Sequence, residues 1–329
     1  MLKDYGEIPG GNNCLKPLLY PFHNSYPVKI WSKYRWLKNS RLKHELPRLA
    51  QKRKWLTVID RLGAPGDALI TANVIRSIKK RFPNLKINCI TPHPELVKYD
   101  PSIDSVNDRE TFYSFDSSYW DLVDRKETTT NVVAHSLGKL NIESFKYKAS
   151  FYLSENEDEW GKQQTNGLRR PLLSINTTSK ELVKTWPKDK WNGLMPELQE
   201  IGDVIQLGDN REPKLIGTKS FAGHCTMRES AAILNHTDLF IGPDSLLMHI
   251  ANGLEVPSVI LFGGSRPVQC LGYDQNINLS STPECSPCWI HDGFETCTHM
   301  VKCMNNINGS QVIDAVTSLL NIPPQIHLN

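Results

Sequence analysis

No run of about 18 apolar residues occurs in this chain, so a helical membrane span is not expected. The N-terminus has no charged stretch leading into an apolar one, so no secretory leader is expected either. The reading is a cytoplasmic protein, with peripheral contact at the inner membrane face as the alternative. There is little net charge, +3 over 329 residues, which removes any chain-wide argument for an anionic partner. Solenoid repeats, long low-complexity tracts, a G-x-G-x-x-G turn and a Walker loop are all missing. What remains is an ordinary globular composition, 39% hydrophobic and 22% charged, in a chain long enough for two domains.

Strand-like runs alternate with helical ones. Trp55–Asp60 reads as a strand, Arg61–Asp67 as a loop, Ala68 to about Arg81 as a helix and Leu85–Ile90 as a second strand. Asp121–Val123 reads as a short buried strand, 131–140 as a helix, and polar residues 155–167 as a connection. Further strands are expected at Pro171–Ile175, Asp203–Leu207, Asp238–Ile241 and Pro257–Phe262. Helices are expected at 188–200, 228–235, 245–254 and about 311–320, the last capped by Ser310. Such alternation implies an α/β protein with parallel sheets and ligands beyond the carboxyl ends of the strands. The division expected is 1–54 as an N-terminal extension, 55–165 as one doubly wound domain and 166–329 as a second.

Two loops carry candidate chemistry. In Gly63-Ala-Pro-Gly66-Asp67 the glycines permit a tight turn where the first strand meets its helix, and Asp67 stands at the cleft rim. It reads either as a helix cap or as a reactive carboxylate. In Gly242-Pro-Asp244-Ser245-Leu-Leu-Met-His249 a strand runs into a helix start whose free N–H groups and dipole suit a phosphate. His249 reads either as a core histidine or as part of the same corner.

The pattern Arg61-x5-Asp67-Ala-Leu-x5-Ile-Arg-x5-Phe-Pro83, followed by Asp244-Ser-x2-Met-His-Ile-Ala251, Val256-Pro257 and Phe262-Gly263, resembles glycosyltransferase family 9, the lipopolysaccharide heptosyltransferases and their relatives. Ser174-Ile-Asn-Thr-Thr178, Lys184-Thr-Trp-Pro187 with Trp191, and Gln206-Leu-Gly208 add weaker matches. The resemblance spans roughly 55–320 and implies a GT-B fold, two Rossmann-like domains facing a cleft. It also implies inverting transfer of a heptose or other sugar from a nucleotide sugar, without a catalytic metal. Asp67 occupies the place of the general base. Lys184 matches the lysine that faces the leaving diphosphate, and Gly66, Thr177, Thr178, Gly208, Asp244, Ser245 and His249 match donor-side positions. Glu212 is placed to meet the ribose hydroxyls. An ADP-sugar is favoured as donor over UDP- or GDP-sugars, and a glycan as acceptor, with DNA or protein as alternatives. Leu246-Leu247 depart from the small residue usual after Asp-Ser, which keeps a catalytically silent binding module in play.

Cys285, Cys288, Cys297 and Cys303 fall within nineteen residues near the C-terminus, enough thiolates to close a tetrahedral zinc or iron site. Reduced free cysteines and disulfides are the alternatives; the resemblance favours a structural metal, since protein-modifying heptosyltransferases carry a four-cysteine iron site. Between Val28 and Trp55 ten Lys or Arg face one acid, Glu45, with Trp31, Tyr34, Trp36 and Trp55 interleaved. That segment reads either as a footprint for an anionic surface or as a helix packed on the first domain by its Trp and Leu face.

Overall fold

The computed structural model describes residues 41–108, 111–288 and 297–322. Two all-parallel sheets organise them. The first holds β1 (Trp55–Ile59), β2 (Lys86–Ile90), β3 (Ser105–Val106) and β4 (Ser114–Asp116) in the order β3-β2-β1-β4. The second holds β5 (Leu173–Ile175), β6 (Val204–Gln206), β7 (Lys219–Ser220), β8 (Leu239–Pro243), β9 (Ser258–Phe262) and β10 (Ile277–Ser280), in the order β10-β9-β8-β5-β6-β7. Numbered from its own first strand, this second sheet has the doubly wound order 3-2-1-4-5-6, with its reversal between β5 and β8. The first sheet is the same order cut short at four strands, reversing between β1 and β4. Ligands of doubly wound sheets bind beyond the strand ends at such reversals, and Asp67 follows β1 while Lys184 follows β5 and Asp244 follows β8.

Both faces of the sheets are covered, so the central strands are buried along their length rather than at alternate residues. Every residue of β8 and β9 is buried. Helix α1 (Pro65–Arg81) follows β1 and turns ten residues inward, Leu69, Ile75 and Ile78 among them. Residues 41–51 are helical as well, with Leu42, Leu46 and Leu49 buried in the core of the first half at one-turn and two-turn spacing. For this part of the basic segment the structure has the packed helical face; residues 28–40 lie outside the described residues.

Three local expectations are corrected. Asp121–Val123 is not a strand but part of a short helix, α2 (Trp120–Asp124), in which only Leu122 is buried while Asp121 meets His135 and Lys139. The strand of this region is β4, a few residues earlier. Ser310 does not cap the last helix, α7 (Gly309–Leu319): Asn308 does, in a capping box with Gln311. Residues 155–165 are not bare connection but helix α3 (Glu155–Thr165), capped by Ser154 and Glu157. It lies so close to α5 (Met227–Leu234) that a Cβ on Gly161 would sit 2.2 Å from the Ala232 carbonyl oxygen. Residues 142–154 have neither helix nor strand, and they join the halves. The Lys148 carbonyl accepts from Asn73 and Arg76, and the next N–H, of Ala149, donates to Asn252.

Candidate functional site

Asp67 is the third residue of α1. Pro65 starts the helix behind Ala64, whose side chain cannot cap, and Gly63 turns the loop with φ +78°. The Asp67 carboxylate accepts from the Ala64 N–H at the helix start and also reaches Tyr119, just past β4, whose hydroxyl donates to its Oδ1 at 2.6 Å. The tyrosine oxygen in turn accepts from Arg266 Nη1 at 2.9 Å, and the guanidinium lies 4.9 Å from the centre of the same ring. Arg266 belongs to the other half, in the loop after β9. Burial raises the pKa of Asp67; the Tyr119 bond and the Arg266 and Lys184 charges pull the other way.

Behind this loop sits a second buried carboxyl, Asp60, at the end of β1. Its Oδ1 accepts from the Gly63 N–H at 3.2 Å and its Oδ2 from the Thr91 hydroxyl at 2.9 Å. Burial first, then the neighbouring charge of Asp67, lifts its pKa to about 7.

On the opposite wall Lys184 closes a 3-10 turn, Leu182–Lys184, after β5. Two tryptophans just downstream anchor the turn: Trp186 is buried edge-on against Trp191 of α4 (Lys188–Ile201) and donates its indole N–H to the Ile307 carbonyl at 3.1 Å. From below, Gly263 lets the end of β9 press on the turn, since a Cβ there would lie 1.8 Å from the Val183 oxygen. Lys184 Nζ pairs with Asp244 at 3.0 Å and Glu181 at 3.6 Å. Burial disfavours the ammonium, but Asp244 and Glu181 outweigh it and hold its pKa above the ordinary value. Burial likewise opposes the Asp244 carboxylate, and the Lys184 charge overcomes it. Ser245 stands just before α6 (Leu246–Gly253) with no side-chain cap, its hydroxyl donating to Asn176 Oδ1 at 3.1 Å. The free backbone donors at the start of α6 thus adjoin Lys184 and Arg266, a combination suited to an anion.

Glu212 folds back on the loop after β5. It accepts from Asn176 Nδ2 at 2.7 Å, from the N–H groups of Thr177 and Thr178 at 2.9 Å each, from both threonine hydroxyls, and from Gln206. Gly208 allows this, because with φ +134° a Cβ there would lie 2.6 Å from Glu212 Cγ. Thr177, Thr178, Gly208 and Glu212 therefore form one unit in which the glutamate takes up the loop's donors.

His249 is buried in α6. Its Nδ1 is 2.7 Å from the Tyr273 hydroxyl, Tyr273 stacks on Tyr147, and burial lowers the imidazole pKa to about 4, leaving it neutral at pH 7. Its other edge faces Gly66 across the cleft.

The four cysteines line one cavity of about 340 Å³, beside Gly264 and Val183. The Val301 N–H donates to Cys297 Sγ at 3.4 Å, and Cys303 Sγ lies 3.8 Å from the Val183 oxygen. No disulfide involves the described cysteines. Among the described residues no three His, Cys, Asp or Glu side chains stand close enough together to hold an ion, and residues 289–296 between Cys288 and Cys297 lie outside them.

Asp67, Lys184, Asp244, Ser245 and His249 thus gather at the facing strand ends. Asp60, Tyr119 and Arg266 were not expected from the sequence. A charged residue closing an apolar strand is a usable signal for Asp60. Tyr119 and Arg266 meet Asp67 only through contacts 52 and 147 positions apart, which no local pattern announces.

The model of glycosyltransferase family 9 (heptosyltransferase) matches residues 127–297, just over half of the chain. Lipopolysaccharide heptosyltransferase 3 of Escherichia coli (strain K12) is 27% identical over 146 residues, 38% of this chain and 41% of that protein. The chain thus aligns with less than half the length of that curated relative. Among solved structures, the family 9 glycosyl transferase from Veillonella parvula DSM 2008 has a TM-score of 0.64 at 16% identity, covering 82% of this chain and 98% of that one. The iron-containing dodecameric heptosyltransferase TibC in complex with ADP-D-β-D-heptose has a TM-score of 0.63 at 16% identity, covering 81% and 76%. At these identities the structural likeness speaks for the fold, an α/β architecture with parallel sheets.

Proposed function

The chain belongs to glycosyltransferase family 9, and on that premise we propose that it moves a sugar, a heptose in the first instance, from a nucleoside-diphosphate donor to a hydroxyl of an acceptor saccharide. An ADP-sugar is the first donor to test, because ADP-heptose is the ligand of a neighbour of like fold. The observation that carries this reading is the convergence of Asp67, from the first half, with Lys184 and the start of α6, from the second, on one cleft.

In the proposed reaction Asp67 takes the acceptor proton as the oxygen attacks the anomeric carbon from the face opposite the diphosphate, so configuration inverts. The bond from that carbon to the phosphate oxygen breaks, and the charge on the departing diphosphate falls to Lys184, Arg266 and the N–H groups beginning α6. Leu246 and Leu247 narrow the approach to those N–H groups without removing them. Asp244 holds Lys184 charged, and Glu212 with Thr177 and Thr178 shapes the ribose side. The cysteine cavity offers the right chemistry for a structural zinc or iron, although its side chains must draw together to bind one. Such a site, closed by four thiolates, has no open position for substrate. Metal analysis of the purified protein tests it.

The decisive experiment for the reaction is Asp67→Ala assayed with ADP-heptose and a heptose-bearing acceptor. Transfer should fall by a factor of about 10² or more while ADP still binds. Unchanged turnover rules the base assignment out.

A further inference from the structure

Asp67 does not stand alone in the cleft. The hydrogen bonds have one direction: Arg266 N–H donates to the Tyr119 oxygen, and the Tyr119 O–H donates to Asp67 Oδ1. A phenol has a single proton to give, so its donation to Asp67 and its acceptance from Arg266 reinforce each other. Arg266 also lies over the ring, which fixes it from a second side. The result is an ion pair between the two halves with a neutral tyrosine in the middle.

We propose that Tyr119 and Arg266 are positioning residues for the reaction, a relay through which the donor half holds the base of the acceptor half charged and oriented. The inference rests on the reading of Asp67 as the base. The loop that supplies Arg266 is the one whose Gly263 abuts the Val183–Lys184 turn. One stretch of chain, 263–266, therefore abuts the turn that carries Lys184 and, through Tyr119, reaches the base, whose hydrogen-bond chain is complete only with the second half docked.

The groups facing Asp67 are few. Asp60, behind the loop, disfavours its charge, as does burial. Tyr119, Arg266 and Lys184 favour it, and His249, beyond Gly66, is neutral at pH 7. Losing the phenolic bond removes a donor to the anion and separates the guanidinium from it, so Tyr119→Phe should let Asp67 keep its proton to higher pH.

The test is thermal unfolding of the full chain across pH for wild type, Tyr119→Phe and Arg266→Gln, each compared with the same protein carrying Asp67→Asn. The difference within each pair carries the Asp67 titration together with its coupling to Asp60, which is common to all three pairs, so the comparison between pairs reads the relay. Because burial raises the native pKa of Asp67, its contribution to stability is full at low pH and is lost as pH rises through that value, so the upper edge of each difference curve marks it. Tyr119→Phe should move that edge up by about one pH unit, with a smaller upward move for Arg266→Gln, which leaves the ring in place. The near-ultraviolet circular dichroism of each variant at pH 7 serves as the check on folding. A purely structural pair would lower the melting temperature without moving the edge, and an edge that stays at the wild-type pH in both variants overturns the relay. If Tyr119→Phe does not fold, Arg266→Gln alone decides. An edge that moves in a protein that turns over no sugar nucleotide leaves the relay standing and overturns the function proposed above.

Discussion

Gly66 and His249 meet across the cleft: a Cβ on Gly66 would lie 2.9 Å from His249 Cδ2 and 3.1 Å from its Nε2. One is in the first turn of α1 beside Asp67, the other in the middle of α6, so the two halves are fitted together where Asp67, the proposed base, is mounted. The imidazole has little room to retreat, since its far side is bonded to Tyr273 and that ring is stacked on Tyr147.

Gly66→Ala should therefore destabilise the protein by about 1–3 kcal/mol, the usual cost of overpacking, and should reduce transfer because the loop carrying Asp67 must shift. Adding His249→Ala opens the space, and the double variant should recover much of the loss in a urea unfolding series. Strictly additive effects would mean that the contact is unimportant.

Glu212 offers a different kind of test, because one carboxylate serves Asn176, Thr177 and Thr178 together. In Glu212→Ala the N–H groups of both threonines lose their acceptor, at about 1–3 kcal/mol for groups left without a partner. If the loop shapes the ribose side, ADP should bind about tenfold more weakly, equivalent to about 1.4 kcal/mol. Calorimetry with ADP reads this directly, and an unchanged affinity would remove the 176–178 loop from the donor site.

The pH dependence of stability should bear the mark of Asp60. Its native pKa, about 7, lies above the ordinary carboxyl value, so the folded protein holds this proton more tightly than the unfolded chain does. The stability it contributes is full below about pH 3.9 and is lost as pH rises through about 7. Melting temperatures of wild type relative to Asp60→Asn should therefore fall steadily across that window. A flat difference would show that Asp60 titrates as an ordinary carboxyl.

Much of the fold was legible in the sequence, and the parts that were not share a cause. Runs such as Pro257–Phe262 announce buried parallel strands because both faces of the sheet are covered, and the helices between them are set by spacing. Short edge strands, β3 and β7 at two residues each, carry too little pattern to stand out. Asp121–Val123 misled because one buried leucine between polar neighbours fits a strand as well as a helical turn. At the site, Asp67, Lys184 and Asp244 were recognisable from the residues around them, whereas Tyr119 and Arg266 acquire meaning only when two loops from different halves are brought together.

The joint between the halves can be probed away from the cleft. Arg228, on α5, is buried and donates to Glu157 through Nε at 2.5 Å and Nη2 at 2.6 Å, and to the carbonyls of Glu95 and Tyr152 at 2.8 Å each. Its guanidinium also lies 4.8 Å from the Tyr99 ring and 4.9 Å from the Phe151 ring. One side chain thus ties the first half, the connecting segment and the second half together. Arg228→Ala should cost about 1.5–3 kcal/mol, since Glu157 keeps access to water when its partner is removed while the bonds and ring contacts of Arg228 are lost, and Arg228→Lys should recover little because the fork and the stacking are both lost. The sign of the pH effect is opposite to that of Asp60. The bonds from Arg228 depress Glu157 to about 2, so its contribution is present above about pH 4.3 and is lost as pH falls towards 2. The stability gap between wild type and Glu157→Gln should accordingly be widest near pH 7 and close below pH 3; a gap that persists unchanged into acid would mean that the pair acts through packing rather than charge.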